Sequence, residues 1–412
     1  MKDYEYDETL NEIRYKFNKV DFKTIPSNLK IIILPDGFDE VIEKNSLPET
    51  LEVLIFGKSF NQKIKGGILP KNLKVLIFGD LYDHQLNKNT LPKKLKILSL
   101  GSKYKQEIDI ETIPKNLEVL EMHNYYNKNI VKHLLNLKIL RIYDSNDYIL
   151  NLNKLPKSIE FLDLRSIKDI EHKLDLEMPN LKILKIDGNV SNNLNDLDIL
   201  APNVKFIELY NNLTNNFVNV KIFPKDLEYL ILNSNYIEPG YNVNFEYYNM
   251  SLGTKYINND NYINNNDDNI YDDIETIFEK DEVKLFQEKI KKLKYLSLEC
   301  NSYDKFLLNN LPNDLETIKF KNLDFEVNNL PITISNIYLI GNINIEYLSK
   351  IPFGCVIHKN VGEKKIIING YISNNHPYDI MYDDTIMDIH LKNLDSIGYQ
   401  YYGLLNRVTT DW

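Results

Sequence analysis

The chain has 412 residues, 43% of them hydrophobic, and a formal net charge of −10 with a pI near 5.4. That apolar fraction is ample for a large core, while the acidic balance argues against a nucleic-acid or anionic-membrane surface, both of which need clustered Lys and Arg. Two cysteines, Cys300 and Cys355, are too few for a disulfide framework and have no zinc-type spacing.

The opening MKDYEYDETLNEIRYKF has no apolar run after its early Lys and does not read as a secretory signal. No apolar stretch of 18 residues is present to span a membrane. A cytoplasmic protein is expected, with residues 1–24 as an N-terminal cap.

From Ile25 the chain begins to repeat itself. Pro26, Pro48, Pro70, Pro92 and Pro114 are spaced by 22 residues, and the series continues with small slips through Pro156, Pro179, Pro202 and Pro224. Aromatics keep the same beat at Phe38, Phe60, Tyr82, Tyr104 and Tyr126, each followed four residues later by Ile or Leu. A fixed period of this length with L-x-x-L-x-L is the mark of a solenoid, because one coil cannot bury its apolar face alone and stacks on its neighbours.

Within a coil such as LPKNLKVLIFG, Leu73, Leu76 and Phe78 are expected to point inward, with Val75, Ile77 and Gly79 on the other face of a short strand. Proline, which lacks an N–H, suits the corner before the strand. The remainder of the coil is long enough for a parallel crossover but too short for a full helix. The expected architecture is therefore mainly β, at the edge of α/β. It is a leucine-rich-repeat-like solenoid with a parallel concave sheet, short extended or 3-10 convex segments and an internal aromatic ladder.

Phe56, Gly57, Phe60, Asn61, Gln62, Ile64, Leu69, Pro70, Leu73 and Leu76 carry the pattern F-G-x-x-F-N-Q-x-I-x(4)-L-P-x-x-L-x-x-L. This pattern resembles the FNIP repeat, a leucine-rich-repeat-like family abundant in social amoebae and in giant viruses of amoebae. The resemblance covers residues 25–130 best, weakens to 232 and recurs over 290–358. It implies a protein-interaction solenoid, in the host cytoplasm if the source is viral. Some viral members carry an F-box that docks a ubiquitin ligase, and the residues ahead of the first repeat are too few for that module.

Ten coils run over 25–232, the sixth having lost its proline at HLLNLKILRI. Residues 233–289 form an Asn-rich acidic insertion, expected to be mobile over 234–270 and to end in a helix. Coils resume over 290–358 with Pro312, Pro331 and Pro352, and residues 359–412 read as a C-terminal cap.

The outward positions of the strands are the candidate partner surface. One column runs Ile31, Val53, Val75, Ile97, Val119, Ile139, Phe161, Ile183, Phe206 and Tyr229. The next reads Ile33, Ile55, Ile77 and Ser99, then Glu121, Arg141, Asp163, Lys185 and Glu208, with alternating charge on neighbouring strands. Beyond it lie His123, Tyr143, Arg165, Asp187 and Tyr210, against only Gly57, Gly79 and Gly101 in the early coils.

Tyr143, Arg165, Tyr210, His123, Phe161 and Phe206 are the expected partner-binding residues, since aromatics and Arg dominate binding hot spots. The smooth early face is expected to be covered by a partner, by a second copy or by the protein's own segments.

No catalytic constellation emerges. His376, Asp379, Asp383, Asp384, Asp388 and His390 cluster within fifteen residues, but at no recognised metal spacing, and they read as polar surface. Cys355 occupies a core leucine slot. No cofactor, no metal and no enzymatic activity are expected. The function expected first is binding of a protein partner on the concave face. The alternatives are a structural or assembly component, viral or cellular, with self-association through the early coils, or a ubiquitin-ligase adaptor without its own F-box.

Overall fold

The computed structural model describes residues 4–7, 12–15, 20–123, 128–143, 149–150, 155–164, 169–170, 178–187, 201–210, 224–233, 291–299, 308, 311–321, 323, 326–340, 343–348, 351–352, 354–359 and 366–367. In chain order the strands are β1 (Tyr4–Asp7), β2 (Glu12–Tyr15), β3 (Ile31–Ile33), β4 (Val53–Ile55), β5 (Val75–Ile77), β6 (Ile97–Ser99), β7 (Val119–Met122) and β8 (Ile139–Ile142). They continue as β9 (Ile149–Leu150), β10 (Phe161–Leu164), β11 (Asp169–Ile170), β12 (Ile183–Asp187), β13 (Phe206–Tyr210) and β14 (Tyr229–Asn233). The last are β15 (Tyr295–Glu299), β16 (Thr317–Phe320), β17 (Asn336–Leu339), β18 (Val356–Lys359) and β19 (Ile366–Ile367).

Helix is scarce among the described residues: 3-10 turns at Phe22–Thr24 and Ile345–Tyr347, and one short α1 at Lys128–Val131. The protein is a parallel β-solenoid, as the repeat period requires.

The chain forms two compact units. The first joins Met1–Asn146, Lys154–Leu164 and Asn374–Trp412, and the second joins Asp147–Asn153 with Arg165–Ser373. In the first, β1 and β2 pair antiparallel, and β2 to β8 then stack in parallel with β10 on β8.

In the second unit, β12 to β18 stack in parallel and β19 returns antiparallel to β18, while β9 and β11 form a separate parallel pair. Strands β14 and β15 are direct neighbours, Tyr229 facing Tyr295. Whether 234–270 is mobile, and whether a helix ends the insertion, lie outside the described residues.

Each coil follows local chemistry. The proline carbonyl accepts the N–H three residues on, as in Leu51 N to Pro48 O (3.0 Å) and Leu73 N to Pro70 O (3.1 Å), so the missing proline donor is never needed. In three successive coils the same slot has a left-handed backbone, with φ of 65° at Asn45, 80° at Gly67 and 67° at Asn89. It is the third position of a tight turn, closed for example by Ser46 N on Glu43 O, where Asn and Gly carry the least penalty.

Gly57, Gly79 and Gly101 are demanded by close approach of successive coils. A Cβ on Gly79 would lie 1.9 Å from the Gly57 carbonyl oxygen, and one on Gly101 1.8 Å from that of Gly79. This corrects the reading of those glycines as a smooth outward surface: they mark where one backbone rests on the next.

The core lies between the sheet and the outer turns. Leu51, Leu54, Leu73, Leu76, Leu95 and Leu98 are all fully buried. Phe38, Phe60, Tyr82 and Tyr104 stack in near-parallel steps of 5.9, 6.0 and 6.1 Å, and Phe56 and Phe78 run beside them, 3.9 Å from Phe60 and Tyr82. The expected ladder is present from Phe38 to Tyr104, while Tyr126 lies outside the described residues. Burial raises the Tyr82 and Tyr104 phenols above their ordinary range.

Candidate interaction surface

A strand has two faces, and the outward one is where a solenoid presents itself to a partner. In β4 to β7 that face is closed. Val53, Ile55, Val75, Ile77, Ile97, Ser99 and Val119 are all between 0 and 7% exposed, although they point away from the leucine core. In β3 of the same sheet, between β2 and β4, Ile31 and Ile33 are half-buried and only Ile32, on the core side, is fully buried.

The charged column is buried too, which corrects its reading as open surface. Arg141, Asp163 and Ser99 in the first unit, and Lys185 and Glu208 in the second, are buried. Glu121, Arg141 and Asp163 face one another in register across β7, β8 and β10. Arg141 Nη1 lies 3.4 Å from Glu121 Oε2, and its guanidinium sits over the Phe161 ring, 5.4 Å from the centroid. In the second unit Lys185 Nζ approaches Glu208 Oε2 to 2.7 Å. Charges removed from water in this way are tolerable only when paired.

The expected binding residues fare unequally. Phe161 and Phe206 are fully buried, so neither is presented to a partner. Tyr143 and His123 are half-buried, their rings 5.0 Å apart, and the Tyr143 hydroxyl donates to Asp163 Oδ2 over 3.4 Å. Burial lowers the His123 imidazole below its ordinary value, with the Glu121 and Asp80 carboxylates pulling the other way. Tyr210 belongs to β13, but its side chain lies outside the described residues, as does the whole of Arg165.

In β16 to β18 the outward face is open. Thr317, Asn336 and Val356 form one half-exposed row and Lys319, Tyr338 and His358 the next, directly opposite one another across the three strands. The Tyr338 and His358 rings stack at 4.3 Å, and His358 Nε2 is 3.1 Å from Asn336 Oδ1. The sequence reading passed over this set. Its signal was the alternation TIKF, NIYL and VIH, apolar inward and mixed outward.

Also missed was the role of the residue after the ladder aromatic. Asp39 Oδ1 accepts from Asn61 N (2.8 Å), Asn61 Oδ1 from Asp83 N (3.1 Å) and Asp83 Oδ1 from Lys105 N (2.8 Å). One short polar side chain per coil thus satisfies the backbone of the next. The Gln62 and Gln106 amides donate to the same carboxylates, of Asp39 and Asp83. This is the physical content of the F-N-Q signature.

Among the described residues, no group of three His, Cys, Asp or Glu is placed to hold a metal, and no helix is long and apolar enough to cross a membrane. The cluster from His376 to His390 lies outside them. Cys355 is fully buried and burial pushes its thiol up to about 11.

Stacked L-x-x-L-x-L strands joined by helix-poor crossovers define a leucine-rich-repeat-type solenoid. The model of the family described as FNIP Repeat matches residues 17–59 and 60–103 of the chain. Among solved structures it is similar to CroV588, described as a circular LRR protein, at 18% identity and a TM-score of 0.42, over 86% of this chain and 57% of that one. It therefore spans little more than half the length of that neighbour. A leucine-rich repeat protein from Bacteroides ovatus ATCC 8483 aligns at 11% identity and a TM-score of 0.14, over 81% of this chain and 69% of the other. No curated protein matches the chain.

Proposed function

We propose that the protein is a non-enzymatic, cytoplasmic interaction solenoid that binds a protein partner through the parts of its strand ladder left open to solvent. The observation carrying this reading is the in-register row Lys319, Tyr338 and His358, with Asn336 and Thr317 beside it. Stacked aromatic rings next to a cation and an amide offer contact area at low entropic cost together with directional hydrogen bonds, the composition of binding hot spots. His123 and Tyr143 supply a smaller patch of the same character in the first unit. Tyr210 and Arg165 remain candidates for a partner surface on the later coils.

The test is partner recovery by the full chain against two double variants, Tyr338→Ala with His358→Ala, and His123→Ala with Tyr143→Ala. Loss of about 2 kcal/mol at a hot spot, or roughly thirtyfold in affinity, is expected from the first. Undiminished recovery by both variants contradicts the proposed surface. An assembly role, the second reading, would instead appear as concentration-dependent self-association of the purified chain.

A further inference from the structure

The turn ahead of each strand has one free slot. In successive coils of the first unit that turn closes in the same way, with Leu51 N on Pro48 O, Leu73 N on Pro70 O, Leu95 N on Pro92 O, Leu117 N on Pro114 O and Leu137 N on Leu134 O. The residue after the acceptor is exposed in every one of them: Glu49, Lys71, Lys93, Lys115 and then Leu135, which is 73% exposed. These residues stack in one column. The strands that follow, β4 to β8, are in parallel register, and the Asn72 and Asn136 amides reach back to the Glu49 and Lys115 carbonyl oxygens of the preceding coil.

Because Ser27, Glu49 and Leu135 fill the slot as well as Lys does, folding does not ask for lysine there. Three like charges on neighbouring coils, about 4.8 Å apart, are unfavourable. The same coils show the alternative three residues on, where Lys74 pairs with Glu52 at 2.6 Å and Lys96 with Glu118 at 2.7 Å. Among the described residues no carboxylate pairs with Lys71, Lys93 or Lys115. Lys94, whose Nζ donates to Asn72 Oδ1, adds a fourth cation at the same corner. In a chain of net charge −10 this is a local excess of the minority charge.

We propose that the column is a docking ridge for an acidic peptide segment of a protein partner, whose carboxylates meet Lys71, Lys93 and Lys115 while an apolar side chain meets Leu135. Charge complementarity sets the sign of the occupant. Its class follows from the shape and ends of the column. The lysines span two coil steps, about 10 Å, which three or four residues of extended peptide cover. The column then ends on an exposed leucine, for which a phosphate chain has no counterpart. It holds no aromatic on which a base could stack, and the acidic chain repels long polyanions. The ridge lies at the corners ahead of the strands, whereas the partner rows proposed above are on strand faces, so the two readings stand or fall separately.

The probe is a fluorescein-labelled synthetic peptide of alternating Glu and Ser closed by two Leu residues, titrated with the full chain at low salt and read by anisotropy. Lys71→Gln, Lys93→Gln and Lys115→Gln together should weaken its binding by about tenfold, since exposed charge pairs contribute up to a few-fold each. A control that removes the same charge elsewhere on the unit, Lys44→Gln, Lys63→Gln and Lys105→Gln, should change it by less than about twofold. Leu135→Ser should weaken this peptide by about threefold and leave unchanged one whose terminal leucines are replaced by serine. All the substituted side chains are exposed, so each variant keeps the fold, which circular dichroism checks.

A natural chain that does not bind the peptide, undiminished binding by the ridge triple, or equal losses in the two lysine triples overturns the proposal. So does tighter binding of an oligouridylate of equal charge, which would assign the column to nucleic acid.

Discussion

Strands β5 and β16 occupy the same place in the repeat, yet β5 is buried on both faces and β16 on one. The core side is identical in kind: Leu76 and Ile318 are both fully buried. What differs is the other side, where Val75 and Ile77 stand in one strand and Thr317 and Lys319 in the other. A repeat fixes the inward residues, because every coil must stack, and leaves the outward ones to local use. An early coil uses them as core and a late coil uses them as surface, so the outward column reports what each part of the molecule is for.

The largest predicted effect breaks this difference directly. Val75→Asp places a carboxylate on a closed apolar face and should cost about 4 kcal/mol or more, whereas Thr317→Asp at the matching position should change stability by less than about 0.5 kcal/mol. Urea unfolding of both variants measures it, and similar losses at the two sites would erase the distinction.

Tyr82→Ala comes next, at about 3–5 kcal/mol, because it removes a fully buried ring from the middle of the ladder. A smaller step is Arg141→Ala, about 3 kcal/mol by the same assay, since it strands Glu121 and Asp163 without the cation between them. Arg141→Lys should recover only part of that loss, because a point charge cannot reproduce the guanidinium stacked on Phe161.

The smallest is a pH effect. The folded-state value of His123 lies below the ordinary 6.5, so the unfolded chain takes up the proton first. Stability from the neutral imidazole is complete above about 6.5 and declines as pH falls from there toward the folded value. His123→Gln should flatten that decline, read as melting temperature against pH, and an unchanged profile would show that His123 does not titrate across unfolding.

Much of this was legible in the sequence because stacking forces repetition. The prolines, the leucine columns and the aromatics from Phe38 to Tyr104 could be placed from spacing alone, since each has one physical job repeated every 22 residues. The left-handed slot at Asn45, Gly67 and Asn89 was equally periodic, but is easily missed because two residue types share it. The outward face was harder. An Arg or Asp on that column reads as surface, and only three-dimensional burial shows that Arg141 and Asp163 are inside. Nothing local in the sequence distinguishes a buried charge from an exposed one. The glycines misled for a related reason: Gly79 is small because of the carbonyl of Gly57, a coil earlier, and that contact exists only after stacking.

Hydroxyl-radical footprinting of the native full-length chain tests the central claim most directly, each residue being referred to its own rate in the unfolded chain. Val53, Ile55, Val75 and Ile77 should be protected by at least about tenfold, while Tyr338 and His358 should react within about threefold of their unfolded rates. Equal protection of the two sets, or free reaction at Val75 and Ile77, would contradict an outward ladder face that is closed in the early coils and open in the last.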